Sequence, residues 1–274
     1  MKRASRLGAL FIAGLLFSLP VLARECPAEN SQLETATVEK VVDGDTLRLT
    51  DGRLIRLIGI NTPEMAKKGS EEEPFANQAK LTVKSLLEES TREGVATVGL
   101  QYDAERKDRY GRTLAHVYLQ DGRNLQANLL SNGLAAQIVV PPNLGHRKCY
   151  RDAELEGKAS HEGVWGSIFQ TIPVEKLPRD MKGFRVISGR VTRIGESRKS
   201  LWLNFPRHPD EGKREGVAVR IARKDLSYFK QWKPGSLKNK TIIVRGWLYP
   251  YKKQTVIQVR YPMAVEIVPE NLGK

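Results

Sequence analysis

Apolar and polar positions alternate from Thr37 to Val42, which predicts a half-buried strand. Thr46–Leu49 and Arg53–Ile60 follow it, separated by Asp-Gly turns at 43–44 and 51–52, and complete a three-stranded meander. The period then lengthens. Phe75, Ala79, Val83, Leu86 and Leu87 fall on one helical face. Val95–Tyr102 and Thr113–Leu119 return to strand spacing, Leu125–Leu130 reads as a short helix, and Arg147–Gly157 reads as a polar helix ending near Trp165. Five short strands with a helix inserted after the third predict a mainly β (α+β) fold, a small OB-type barrel with covering helices.

Gln170–Asp180 carries Pro173 and Pro178 without a strong period, so it reads as a linker. Beyond it the same order of elements returns. Strands are expected at Phe184–Ile194, Ser200–Phe205 and Val217–Ile221, a short helix at Lys224–Trp232, and strands at Thr241–Leu248 and Thr255–Val259. This predicts a second, smaller OB-like barrel. The expected organisation is a leader at 1–23, a first domain at 33–170, a linker at 171–181 and a basic domain at 182–270.

Charge separates the two domains. The chain has a formal net charge of +14, but residues 33–170 hold 18 Lys and Arg against 20 Asp and Glu, a net −2. Residues 182–274 hold 21 against 7, a net +14. A positive field confined to one domain points to a polyanion partner. Aromatic and basic residues interleave there: Trp202, Phe205, Arg207, Arg220, Arg245, Trp247, Tyr249, Tyr251, Lys252 and Lys253. OB-folds bind single strands by stacking bases on such aromatics within a basic groove. Strand alternation sets Trp202 opposite Leu201 and Leu203, and Trp247 opposite Leu248, leaving open which set faces the core.

Lys2, Arg3 and Arg6, the uncharged run Leu7–Ala23 and the small-residue pattern Val21-Leu22-Ala23 read as a secretory signal cleaved after Ala23. The expected destination is the periplasm or the medium, with no stable membrane insertion after cleavage. Cys26 and Cys149 are the only cysteines, and an even pair in an oxidising compartment suggests one disulfide. Two cysteines and four histidines argue against a zinc site.

The chemistry lies in three stretches: Val-Asp-Gly-Asp-Thr at 42–46, Arg-Leu-Ile-Gly-Ile-Asn-Thr-Pro-Glu at 56–64, and Asp-Arg-Tyr-Gly-Arg at 108–112. They supply an acidic turn, a carboxylate just past a strand, and two arginines placed where they could converge. Phosphodiester hydrolysis needs such a set: a hard cation to organise charged oxygens, a base to activate water, and guanidinium groups to neutralise the transition state. Taken alone, each motif has a plainer reading. Asp-Gly is a hairpin turn, Arg56 is a surface arginine, and Arg106, Lys107 and Arg109 make a solvated loop.

From about Thr37 to Trp165 the ordered set, with Gly-Leu-Ala at 133–135, resembles the staphylococcal nuclease (thermonuclease) family. The resemblance implies that Asp45 is a calcium ligand with Thr62 contributing an oxygen. Glu64 would be the general base, and Arg56 and Arg112 would hold the scissile phosphate. It implies endonucleolytic cleavage of DNA and RNA, typically leaving 3′-phosphates. Arg109 and Tyr110 are assigned to substrate binding. Where the family has a second calcium carboxylate, this chain has Asn61, which is kept in the ligand set but brings no charge. Val139, Val140 and Pro141 replace the nucleotide-stacking tyrosines of the best-known members. The expected protein is an exported, monomeric, Ca2+-dependent endonuclease with a C-terminal nucleic-acid-binding module. The main rival is a catalytically weakened nucleic-acid-binding protein of the envelope, and a protein-interaction scaffold is a third reading.

Overall fold

The computed structural model describes residues 26–28, 32–67, 69–91, 94–161, 163–178, 180–206, 216–230, 233–252 and 254–269. The expected leader and Arg207, Trp232 and Lys253 lie outside the described residues.

Strands β1 (Glu34–Asp43), β2 (Thr46–Leu49), β3 (Leu54–Leu57), β5 (Thr97–Gln101) and β6 (Thr113–Tyr118) close a barrel in the order β1-β2-β3-β6-β5. Leu47, Leu49, Ile55, Leu57, Leu100 and Val117 fill its interior. The tight β1–β2 turn packs on helix α1 (Ala76–Ser90), where a Cβ at Gly44 would stand 2.8 Å from the Ala79 Cβ and 2.9 Å from the Thr62 side chain. Only glycine lets the acidic turn approach so closely. β3 and β6 are parallel, so the chain must cross over between them, and α1 with β5 forms that crossover. Helix α1 buries Ala76, Ala79, Val83, Leu86 and Leu87, the face its spacing predicts.

Helix α2 (Leu125–Ser131) is capped by Asn124, whose side chain accepts from the Ala127 amide at 2.9 Å. It packs on α3 (Arg147–Ala159) at Gly157, where a Cβ would meet the Leu130 carbonyl at 2.1 Å. The disulfide Cys26–Cys149 ties the start of the described chain to α3.

The structure divides the strand expected at 53–60. The chain turns at Ile58-Gly59 (Gly59 φ +86°), and Ile60–Asn61 becomes β4, paired with β7 (Ala136–Gln137). Tyr150 of α3 occupies the space a Cβ at Gly59 would need, which explains the turn there.

In the second domain, β9 (Gly183–Arg190), β10 (Arg193–Glu196), β11 (Ser200–Asn204), β12 (Val217–Ala222), β13 (Thr241–Tyr251) and β14 (Gln254–Val259) run in the order β10-β11-β12-β14-β13-β9. β9 and β10 are halves of one expected strand, interrupted at Val191–Thr192, and they lie toward opposite ends of a sheet that, unlike the first, is not a closed barrel. The order and the parallel β12–β14 pair repeat those of the first barrel. Ile187, Leu203, Val219, Ile221, Val244 and Ile257 form the core. The expected helix at Lys224 is a 3-10 turn over Arg223–Phe229. The expected linker is partly sheet: β8 (Thr171–Pro173) pairs with β9, while β15 (Val265–Ile267) pairs with β13. Leu201, Leu203 and Leu248 point inward, which turns Trp202 and Trp247 outward.

The domains share an apolar cluster of Ala136, Val164, Phe169, Phe184 and Val186. Beside it Arg245 contacts both carboxylate oxygens of buried Glu154 at 2.6 Å, and Arg260 donates to the Pro141 carbonyl at 2.8 Å.

Candidate active site

Three neighbouring strands place the site. Thr46 of β2 pairs with Arg56 of β3, and Arg56 with Leu114 of β6, two residues past Arg112. The Arg56 guanidinium is buried, not snorkelling to solvent. Its Nη2 lies 2.9 Å from Asp45 Oδ2 and 2.9 Å from the Ile60 carbonyl, and its Nη1 donates to the Leu57 carbonyl. The break after β3 serves this residue, because it turns the Ile60 carbonyl back toward the guanidinium.

Asp45 is held from three sides. Besides Arg56, the Thr62 amide donates to Oδ2 at 3.2 Å and the Thr46 hydroxyl to Oδ1 at 3.1 Å. Asp43 accepts from the Asp45 amide at 3.1 Å. Burial, and then repulsion from Asp45, push the Asp43 carboxyl up to about 6. Thr62 and Asn61 are buried beside this turn, with the Asn61 amide donating to the Thr62 carbonyl at 3.2 Å.

Carboxylate, hydroxyl and amide oxygens around crowded negative charge fit a hard cation such as calcium, which accepts carbonyl and water oxygens as well as carboxylates. Among the described residues no three His, Cys, Asp or Glu side chains gather into a metal cluster. A cation here would rely on few protein charges, with water completing its shell.

Glu64 follows Pro63 at the end of this segment, with its side chain about half exposed and paired to the Lys67 ammonium. That contact is the main cause holding the Lys67 pKa up, and Asp43 and Asp45 add to it. The Glu64 backbone is bracketed by Glu73. The Glu64 amide donates to Glu73 Oε2 at 2.9 Å, and the Glu73 amide donates to the Glu64 carbonyl at 2.9 Å. Arg185 of the second domain holds the other oxygen of Glu73 at 3.0 Å.

Arg112 is oriented by Asp108, which accepts its Nε at 2.7 Å and its backbone amide at 2.9 Å. Gly111 (φ +81°) makes that turn possible. Arg109 donates to the Tyr110 hydroxyl at 2.6 Å and lies over its ring, on the most exposed aromatic of the loop. The structure thus brings Asp45, Arg56, Asn61 and Thr62 together, with Glu64 at the end of the same segment and Arg112 on the adjoining loop. Arg109 and Tyr110 lie on the same loop, with Tyr110 exposed.

Residues 54–167 match the model of the staphylococcal nuclease homologue family. The thermonuclease of Staphylococcus intermedius is 36% identical over 136 residues, 48% of this chain and 76% of that protein. The chain belongs to the staphylococcal nuclease family. It is therefore a nuclease hydrolase. The thermonuclease of Staphylococcus hyicus is 32% identical over 143 residues, 50% of this chain and 79% of that protein. Endonuclease YncB of Bacillus subtilis (strain 168) is 32% identical over 139 residues, 49% of this chain and 63% of that protein. Each of these matches covers half of this chain or less. Among the described residues no helix is long and apolar enough to cross a membrane.

Four residues around the family site escaped sequence reasoning: Lys67, Glu73, Asp108 and Arg185. Asp108 could have been found, because an Asp four residues before Arg112 across a glycine turn is a local signal. Arg185 had none, since its partner Glu73 lies 112 positions away.

Proposed function

We propose that this chain is an exported, calcium-dependent endonuclease that hydrolyses phosphodiester bonds of DNA and RNA, its basic second domain adding affinity for nucleic acid. The buried Asp45–Arg56 pair carries this reading. It fixes a guanidinium beside an acidic turn, with the Glu64 segment and the Asp108-oriented Arg112 adjoining. Calcium, when bound at Asp45, Thr62 and Asn61, would supply charge to the phosphate oxygens. Arg56 and Arg112 bind the scissile phosphate and share the charge that develops on it, and their fixed partners leave little to reorganise during the reaction. Glu64 takes the proton of the attacking water, so its bond to Lys67 must yield to substrate. The Cys26–Cys149 bridge supports an oxidising compartment and hence export to the periplasm or beyond. The outward turn of Trp247 on a +14 segment supports the binding role of the second domain.

Plasmid nicking with calcium, with chelator, and with Glu64→Gln protein tests the reading. Calcium-dependent nicking lost in Glu64→Gln is expected, and equal nicking in all three would refute it. A second reading, a binding protein with a weakened site, draws on Asn61, whose neutral amide stands in the proposed ligand set. Under it the wild-type protein shifts DNA but does not nick it.

A further inference from the structure

A cleft of about 580 Å3 runs between the two domains, beginning at Arg109 of the candidate active-site loop and ending on the second sheet. Four cationic side chains line it, Arg109, Lys224, Arg245 and Arg260, and among the described residues no carboxylate does. Arg245 is fixed by Glu154, and Arg260 by the Pro141 carbonyl and by Asp225 at 3.4 Å, so these two charges stand in set positions. Val139 and Val140 form the apolar wall from the first domain, and Trp247 and Tyr249 face them from β13. Trp247 is 42% exposed although it carries one of the largest apolar faces of the fold. The Tyr249 hydroxyl is enclosed and has no hydrogen-bond partner among the described residues.

We propose that this cleft holds a single nucleic-acid strand next to the bond being cut, with a base stacked on Trp247 and phosphates along the line from Arg109 to Lys224. The proposal rests on the nuclease reading and adds the path of the strand. The chemistry selects that occupant. A π-face beside Arg109 and Lys224, with the ion-paired Arg245 and Arg260 alongside, suits a flexible polyanion with flat bases, and the volume admits unpaired nucleotides but is too small for a duplex. The path is distinct from the other exposed aromatic pair of this domain. Trp202 and Tyr251 stack on each other with ring centroids 5.6 Å apart, so their faces are already partly used.

The test measures binding of a fluorescein-labelled thymidine octanucleotide to full-length protein. All variants carry Glu64→Gln to prevent turnover, and wild-type nicking is recorded in parallel. Trp247→Ala should weaken binding about tenfold, the scale of one base stacked on an aromatic. Trp247→Phe should recover most of that loss, Lys224→Glu should weaken binding and flatten its salt dependence, and Trp202→Ala should match the parent. The phenylalanine variant and thermal melts separate lost stacking from lost folding. If Trp202→Ala loses the oligonucleotide and Trp247→Ala does not, the strand runs over the outer face and the cleft proposal fails while the nuclease reading stands. Unchanged binding in every variant, with wild-type nicking intact, overturns the cleft path in the same way. Wild-type protein that neither binds nor nicks overturns the proposal together with the reading beneath it.

Discussion

Glu73 is a positioning residue for Glu64, and the structure indicates how much its loss should cost. Its carboxylate accepts the Glu64 amide with one oxygen at an exposed position and Arg185 with the other at a partly buried one. Hydrogen bonds to charged groups contribute about 1.5–3 kcal/mol each, so Glu73→Ala removes about 3–6 kcal/mol from the closed form of the 64–73 segment before discounting for solvent. Half of that is still enough to populate open forms. A reacting group misplaced by about 1 Å loses on the order of 10²-fold in rate, so kcat should fall 10- to 100-fold in Glu73→Ala. KM for a dinucleotide should hold, because Arg56 and Arg112 are untouched. Arg185→Ala removes only the outer link, leaves the Glu64–Glu73 bracket in place, and should lower kcat less than Glu73→Ala does. The two act in series, so the double variant should match Glu73→Ala alone. Steady-state hydrolysis of a dinucleotide gives the kcat and KM split, and hydrogen exchange at the Glu64 amide reads the loop directly. Faster exchange in Glu73→Ala with unchanged kcat would show that the bracket does not position the base.

Asn61→Asp should lower the calcium concentration for half-maximal cleavage, since added ligand charge raises affinity, and an unchanged titration would place residue 61 outside the shell. Opening the Cys26–Cys149 bridge by Cys26→Ser should destabilise the first domain by about 4–5 kcal/mol from the entropy of so long a loop, measured by denaturant unfolding; a loss under about 1 kcal/mol would contradict that. His116 is buried, its Nδ1 2.8 Å from the Tyr150 hydroxyl, and burial followed by repulsion from His146 push its pKa down to about 3. The unfolded chain therefore takes up the proton first as pH falls below about 6.5, and stability present at neutral pH drains away toward pH 3, by about 2 kcal/mol at pH 5. His116→Gln should flatten the pH 5–7.5 stability difference by about that amount relative to wild type, and an identical slope in both proteins would refute the assignment.

The elements of the barrel and of the second sheet were legible because each is built from short-range signals: Asp-Gly turns, two-residue alternation, and the α1 face at Ala79 to Leu87. Asp45, Arg56, Glu64 and Arg112 stood out as candidates because all four occur in local motifs. What failed to show was long range. The break at Ile58-Gly59 depends on Tyr150 arriving from α3, and a strand pattern read along Arg53–Ile60 holds no trace of it. The expected linker became β8 because β13 leaves the far edge of β9 open to pairing, a matter of sheet order. The orientation of Trp202 and Trp247 needed the core side of each strand, which alternation alone leaves undecided. Charge was legible only as a sum: the +14 of residues 182–274 hides Arg185, Arg245 and Arg260, whose partners are Glu73, Glu154 and Asp225.

Helix α3 has a consequence for how the molecule survives damage. Within one stretch of chain it receives the bridge from Cys26 at Cys149, fills the Gly59 turn with Tyr150, and offers Glu154 to Arg245. A protease cut between β8 and β9 would sever the covalent path between the two halves yet leave these ties and the shared Phe169–Phe184 packing untouched. The nicked protein should elute as one particle and come apart only on denaturation. A cut connection would then cost little, and the vulnerable point becomes the helix itself.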